Sequence, residues 1–365
     1  EEVFSQRNMD SGRRMVQKRV KSVILSGCEA ADEGAIRAGC KFYAGYPITP
    51  QNRFPEYMSV RMPEEGGIFI QAESEVSAIN MVFGASVAGI RAMTSSSSPG
   101  ISLKQEGISY LAGCELPAVI INMNRGGPGL GDVTPSQSDY FQSTRGGGHG
   151  DYRTITLAPW NIQETYDLTY LAFILADRYR NPVVVLADGM IAQMMEPVKL
   201  FPGKKQAPKK KWALTGCKGR RPNSIKSLFL TPGVLETHNW KLARKYQKIT
   251  ENEQLYHTYM CDDMNLLLVS FGTCARICFE AITLARAQGI KAGLFRPITL
   301  WPYPSEHLKK VAEKVKKILV VEMNCGQMIE DVKLAVRDDI HIFFYGRPGG
   351  GVPTPEEILK EIKRI

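Results

Sequence analysis

Over the first two hundred residues, short continuous apolar runs alternate with longer stretches of helical spacing, the pattern of a parallel sheet covered on both faces. Strands are predicted at 20–25, 42–46, 68–72, 91–95, 118–122 and 183–187. Between them, apolar positions at helical spacing predict helices at about 29–39, 74–88, 100–113 and 163–179, the first closing on Gly39. This is a doubly wound α/β layer ending near Val198.

The periodicity then lapses. Residues 200–232 have no regular spacing, and from 234 to about 260 a helical pattern would place Leu235, Trp240, Leu242, Tyr246 and Ile249 on a buried side. Alternation resumes with strands at 265–270, 291–295 and 317–322, helices reaching 288 and covering 305–315, and a last helix from Pro355. The predicted organisation is an arm at 1–20, an α/β domain at 21–199, a connector at 200–262 and a smaller α/β domain at 263–365. No internal repeat of short period is present.

Composition narrows the class. A chain of 365 residues with 44% hydrophobic content can bury two cores. Its apolar runs fall short of the roughly 20 residues that span a bilayer, and the basic N-terminus leads into no signal-peptide core, so a soluble cytoplasmic protein is expected. The net charge of +9 resides largely in residues 204–221, which carry eight basic residues and no acidic one. That stretch is punctuated by Pro and Gly and holds Trp212 as its sole aromatic, so it reads as a surface connector or subunit-docking segment rather than a nucleic-acid site. The eight cysteines form no Cys-x-x-Cys pair, which argues against an iron–sulfur cluster or zinc site on this chain. Cys274 and Cys278, one helical turn apart, read as packing.

Candidate chemistry gathers where apolar strands end. Tyr46-Pro47-Ile48-Thr49-Pro50, Glu73-Ser74-Glu75 and Asn124-Arg125-Gly126-Gly127-Pro128-Gly129 each follow such a run, so all three face the carboxyl edge of one sheet. Thr49 sits in a turn stiffened by two prolines, with helix capping as its plainer role. Glu75 opens a helix rich in small and apolar residues, where an acidic residue is also favoured by the helix dipole. Arg125 enters a glycine-rich loop, where a guanidinium can grip a carboxylate through two parallel bonds or simply form an ion pair. His149, within Gly-Gly-Gly-His-Gly-Asp, is a loop histidine available to a substrate or a neighbouring chain. The loop 126–131 lacks the spacing of a nucleotide-binding turn and the Walker lysine. No nucleophile with its own base is evident, which points to a borrowed cofactor.

These motifs resemble the pyrimidine-domain (alpha-type) subunit of 2-oxoacid:ferredoxin oxidoreductases, over residues from about Lys21 to the C-terminus. Arg296-Pro297-Ile298 and Glu322-Met323-Asn324 resemble the C-terminal domain of transketolase-like enzymes, and the segment 125–153 looks most like the type acting on 2-oxoisovalerate. The resemblance implies that Glu75, with Tyr46, Pro47 and Ile48, meets the pyrimidine half of thiamine diphosphate, and that Thr49, Arg125 and His149 contact the 2-oxoacid. It further implies CoA-dependent oxidative decarboxylation to acyl-CoA, with ferredoxin as acceptor and coenzyme A as co-substrate. Ala187-Asp188-Gly189 is the nearest approach to the Gly-Asp-Gly magnesium element, and no Asn-Asn follows it. The expected assembly, a dimer of heteromers, therefore has a beta-type subunit holding the diphosphate through Mg2+, a gamma-type subunit and a ferredoxin-like subunit with [4Fe-4S] clusters. A 2-oxoglutarate enzyme, another thiamine enzyme half and a non-catalytic docking subunit are the alternatives.

Overall fold

The computed structural model describes residues 22–201 and 206–365; the predicted arm at 1–20 and Lys204 and Lys205 of the basic run lie outside them. The first layer comprises β1 (Ser22–Ser26), α1 (Gly27–Arg37), β2 (Phe42–Gly45), α2 (Arg53–Glu64), β3 (Ile68–Gln71), α3 (Glu75–Val87), β4 (Ala92–Ser96), α4 (Ser98–Gly113), β5 (Ala118–Asn124), α5 (Tyr140–Arg145), β6 (Ile155–Leu157), α6 (Ile162–Tyr179), β7 (Pro182–Asp188), α7 (Gly189–Gln193) and β8 (Met195–Lys199). Strands β4, β5 and β7 are buried at every position, as their unbroken apolar character requires when helices cover both faces.

The strand order is β6-β7-β5-β4-β2-β3, all parallel, with register pairs such as Tyr43↔Met93, Thr94↔Ile120 and Ile120↔Val184. From β2 the chain moves outward to β3, then returns to the other side of β2 as β4. That reversal opens a crevice at the carboxyl ends of β2 and β4, the usual ligand position in such sheets.

Two expectations change here. The strand predicted at 20–25 stays out of the parallel sheet: β1 pairs antiparallel with β8, from Ser22↔Lys199 to Ser26↔Met195. Its exposed Ser22 and Ile24 show the reason, since a ribbon wet on one face tolerates the alternation that a parallel strand does not. Helix α2 was hidden by Pro55 and Pro63, although Phe54, Met58 and Met62 form a buried stripe at four-residue spacing. Pro55 lies in the first turn, where the missing N–H has no intrahelical partner to lose.

The second layer contains α8 (Val234–Asn252), β9 (Tyr256–Tyr259), β10 (Leu266–Val269), α9 (Gly272–Ala287), β11 (Ala292–Pro297), β12 (Thr299–Trp301), α10 (Ser305–Ala312), β13 (Lys317–Glu322), α11 (Met328–Ala335), β14 (His341–Gly346) and α12 (Pro355–Arg364). Its sheet runs β14-β13-β10-β11-β9, parallel except for β9. Residues predicted as connector thus supply an edge strand, with Leu294 opposite Tyr259. In return, β12 leaves this layer and pairs with β6 at the edge of the first sheet, Thr299 opposite Leu157. In α8, Leu242, Tyr246 and Ile249 are buried as predicted, whereas Leu235 and Trp240 are exposed.

The basic run is not merely a solvated strap. Lys210 is inserted beside Asp177 at 2.8 Å, next to the Arg91–Asp177 pair at 2.7 Å. Arg180 lies 4.5 Å over the ring of Trp212, so the described part of the segment is docked on the first layer. The eight cysteines are all unpaired, with Cys274 and Cys278 buried in the second core. Among the described residues, no helix is long and apolar enough to cross a membrane.

A buried ion pair joins the two layers. Arg296, fully buried, donates from both terminal nitrogens to Glu164 of α6 at 2.7 Å and lies 4.3 Å over Trp160. The fork geometry offsets the desolvation of both charges. Replacing Arg296 by Met leaves Glu164 facing an apolar wall, so Arg296→Met is expected to lower unfolding stability by about 3–5 kcal/mol, read from urea denaturation.

Candidate active site at the carboxyl edge of the central sheet

Strand β4 ends in Ser95-Ser96, and after Ser97 the chain turns directly into α4, with Pro99 in the first turn. The hydroxyl of Ser98 accepts from the Arg125 N–H at 3.0 Å, and it also lies 3.2 Å from the Arg125 carbonyl, which can accept from it. This fixes the exit of β5. The Arg125 side chain then reaches back across the crevice, Nη1 donating to the Thr49 carbonyl at 2.9 Å and Nη2 to the Leu130 carbonyl at 3.0 Å. Its Nε is buried with no partner among the described residues. Among the described residues Arg125 forms no ion pair, and its hydrogen bonds go to main-chain carbonyls alone, so its charge is not committed to a carboxylate of this chain there.

Thr49 lies beside it on the outer lip of the crevice, exposed, while Asn52 takes the N-cap position of α2. The turn is held from beneath by Gln51, fully buried, whose N–H donates to the Ile48 carbonyl at 3.0 Å and whose amide donates to the Tyr46 carbonyl at 3.2 Å. Tyr46 and Ile48 are half-buried, and Pro47 borders an open depression with Phe69 and Gln71.

Glu75 is the first residue of α3, behind Ser74, whose hydroxyl caps the helix by accepting from the Ser77 N–H at 3.2 Å. Only 6% of Glu75 is exposed, and its carboxylate accepts no hydrogen bond from the described residues. Glu73 turns away to the Ser77 hydroxyl. The wall facing Glu75 is Gly100: a Cβ there would lie 2.6 Å from Glu75 Oε1 and 2.1 Å from Ser96 Oγ, distances no side chain can occupy. The hydroxyls of Ser96 and Ser97 are buried without partners among the described residues. A carboxylate with no donor from the described residues suits a ligand that brings one to Glu75.

Sequence patterns missed a second layer of polar groups behind this wall. Lys104, fully buried one helical turn beyond Gly100, donates to the Ser95 carbonyl at 3.0 Å. The Ser95 hydroxyl meets Tyr43 at 2.7 Å and Gln51 at 2.5 Å, which links the end of β4 to the turn before Thr49. Burial pushes the Lys104 ammonium down to about 7, and the charge of Glu75 opposes that shift. The run Ser95-Ser96-Ser97-Ser98 at the end of an apolar strand was the available signal.

His149 falls apart from this group. It is exposed, in a loop whose Gly147 N–H donates to Gln105 at 3.1 Å, further along α4 than Gly100. Asp188 serves as the N-cap of α7, accepting from Met190 and Ile191 at 3.0 and 3.3 Å. A cleft of about 450 Å3 opens between the layers, bordered by Ser98, Pro128, Ser136, Asp139, Asn324 and Cys325.

Residues 33–260 match the family described as pyruvate flavodoxin/ferredoxin oxidoreductase, thiamine diphosphate-binding, and residues 265–358 match pyruvate:ferredoxin oxidoreductase core domain II. The chain belongs to the 2-oxoacid:ferredoxin oxidoreductase family. Within that family it is 48% identical over 346 residues to the ketoisovalerate oxidoreductase subunit VorB of Methanothermobacter marburgensis, covering 94% of this chain and 97% of the relative. The 2-oxoglutarate synthase subunit KorA of the same organism is 36% identical over 371 residues, covering 93% and 97%. Among solved structures, a 2-oxoglutarate:ferredoxin oxidoreductase from Magnetococcus marinus with 2-oxoglutarate, coenzyme A and succinyl-CoA bound superposes with a TM-score of 0.84 at 27% identity. The match covers 95% of this chain and 66% of that one. A split-gene transketolase, at TM-score 0.56 and 12% identity over 93% and 95% of the two chains, shares the fold. The expected fold class, a parallel-sheet thiamine diphosphate-binding domain with a smaller transketolase-like layer, and the expected oxidoreductase family are thereby borne out.

The tight wall gives a test in this family member. Gly100→Ala is expected to cut turnover of the assembled oxidoreductase by at least about tenfold, because the added methyl must displace Glu75 or Ser96. Gly84→Ala, on α3 with open space around it, should leave turnover unchanged and stabilise slightly. Equal steady-state rates for the two variants would contradict the assignment of Gly100.

Proposed function

We propose that this chain is the subunit of a 2-oxoisovalerate:ferredoxin oxidoreductase that contacts the pyrimidine half of thiamine diphosphate and the substrate carboxylate. The carrying observation is the unpartnered Glu75 carboxylate behind the Gly100 wall, in a chain 48% identical along its length to a ketoisovalerate oxidoreductase subunit. The site fits the cofactor: a carboxylate that is 6% exposed and has no partner among the described residues suits the hydrogen-bonding edge of an aminopyrimidine. When bound, thiamine diphosphate supplies the nucleophilic carbon and the electron sink for decarboxylation. Glu75 holds or shares the proton at the ring nitrogen, and the Thr49 hydroxyl and Arg125 orient the 2-oxoacid carboxylate. Tyr46, Pro47 and Ile48 flank the ring, and His149 faces a substrate or partner entering over α4.

The remaining parts belong to other chains. Beside Glu75, helices α3 and α4 leave Val76, Leu103 and Tyr110 exposed. A beta-type subunit covering that apolar face would enclose the crevice and hold the diphosphate through Mg2+, while Asp188 stays committed to its helix cap. Gamma-type and [4Fe-4S] subunits complete a cytoplasmic dimer of heteromers. The 2-oxoacid, coenzyme A and two oxidised ferredoxins give acyl-CoA, carbon dioxide, two reduced ferredoxins and a proton.

A branched aliphatic substrate is favoured over 2-oxoglutarate because the nearby cations are engaged. Arg145 pairs with Asp331 at 3.0 Å, and Arg153 donates to the Arg145 and Tyr152 carbonyls at 3.3 and 3.5 Å. With the native assembly and ferredoxin or viologen, kcat/KM for acyl-CoA formation is expected to be highest for 2-oxoisovalerate, by about tenfold over pyruvate and 2-oxoglutarate. A preference for 2-oxoglutarate would refute the substrate assignment. Glu75→Gln should lower turnover at least about 100-fold with the assembly intact on gel filtration, whereas a fully active variant would mark this chain as a docking subunit.

A further inference from the structure

The connector between the two layers runs into a hydrophobic stripe that this chain covers only in part. In α8 the positions Val234, Leu235, His238, Leu242, Tyr246 and Ile249 follow three- and four-residue spacing and so share one face. From Leu242 onward that face is buried, and His238 closes on the first layer, Nε2 donating to the Gly113 carbonyl at the end of α4 at 2.8 Å. The first turn overhangs this contact, which leaves Val234 and Leu235 40% and 47% exposed. The chain leading into the helix repeats the pattern. Ile225 packs against the core and the Phe229 ring lies 5.0 Å from His238, whereas Leu228 and Leu230, on either side of Phe229, are 71% and 85% exposed. Four aliphatic side chains of one short segment are thus left in water.

Charge identifies what covers them. From 200 to 235 the chain carries nine basic residues and no acidic one. Lys210 is paired with Asp177, but Lys211, Lys218, Arg221 and Lys226 are exposed or enter no ion pair among the described residues, and Lys226 lies 5.4 Å from the centre of the Phe229 ring, beside the leucines. Main-chain anchors fix the segment: the Leu214 N–H donates to the Val87 carbonyl at 2.9 Å, and the Asn223 amide donates to the Lys211 and Ala213 carbonyls at 2.7 and 3.0 Å. A second copy of this chain, docked about a two-fold axis, would set these cations against their own equivalents. The arm at 1–20, with five basic and three acidic residues, carries the same sign. A phosphate polymer would match the charge and leave the leucines uncovered. An acidic protein surface with an apolar centre answers both features.

We propose, on the reading that this chain works in a heteromer, that residues 211–235 form a docking surface for a companion subunit whose contact face is acidic around an apolar centre. The surface lies where α3 and α4 end, and Glu75 and Gly100 lie where those helices begin. Substitutions on it therefore leave the candidate site intact.

In the assembly isolated through a tag on this chain, carbodiimide coupling, which joins an amine to a carboxylate in direct contact, is expected to link Lys218 or Lys226 to an acidic residue of one companion. The combined reversal Lys218→Glu, Arg221→Glu and Lys226→Glu should lower retention of that same companion at least about tenfold at about 0.15 M salt, counted by mass spectrometry, with the other companions kept. Leu228→Glu with Leu230→Glu should do the same, because an acidic rim then meets new carboxylates, and it decides the matter if the triple variant does not fold. Lys218→Arg, Arg221→Lys and Lys226→Arg together preserve the charge and should match wild type. Absence of the coupled product, or retention of every companion by both reversed forms, overturns the proposal. So does a halving of the mass of the assembly with its subunit ratio unchanged, which assigns the surface to a second copy, and so does sedimentation with phosphatidylglycerol vesicles that the reversals abolish, which assigns it to a membrane. A wild-type chain that purifies without companions defeats the heteromer reading itself, whereas companions held equally by all forms defeat only this surface.

Discussion

The site depends on the close approach of Gly100 to Glu75. Three strands end at this point, and α4 begins in the small space among them; any side chain at position 100 would fill the volume taken by the carboxyl and the Ser96 hydroxyl. The same turn holds Arg125 through Ser98. Two candidate site groups, at the start of α3 and just past the end of β5, are thus positioned by one helix start, and a displacement of α4 would misplace both.

The second layer acts on this edge from behind. The chain beyond Arg125 turns back on itself, with the Gly126 N–H donating to Thr134 and a positive φ at Gly131 where a Cβ would strike the Gly126 carbonyl. It then crosses to the second layer, where Gln137 donates to the Phe271 carbonyl at 2.8 Å and accepts from the Met323 N–H at 3.0 Å, while Asn324 donates to the Gln137 carbonyl at 2.9 Å. Glu322, fully buried, accepts from Met328 and Ile329 at 2.9 and 3.0 Å, so that the start of α11 and this loop are held by one carboxylate. The transketolase-like layer has a mechanical function here: it clamps the loop that follows the arginine.

Polar groups in the crevice are satisfied selectively. Gln51, Ser95, Tyr43 and Lys104 form a connected set beneath the floor, whereas the Ser96 and Ser97 hydroxyls and the Arg125 Nε are buried without partners among the described residues. The connected set below gives rigidity, and the idle groups leave hydrogen-bonding capacity at a cost in stability.

Sequence alone determined the parallel α/β character and the three motifs at strand ends, because unbroken apolar strands and prolines that stiffen a turn leave few alternative structures. The resemblance carried by those motifs led to the correct family. Only the tertiary structure decided the rest. The amphipathic spacing of α2 was present but obscured by two prolines, and β1, β9 and β12 joined partners far away in the chain, which local periodicity does not encode. His149 was named because its loop looked like a binding loop, and packing placed that loop on Gln105, away from Thr49 and Arg125. Gly100 carried no motif at all: its tight place arises from a helix face brought against a carboxyl 25 residues earlier in the chain, and such proximity is a property of packing rather than of spacing.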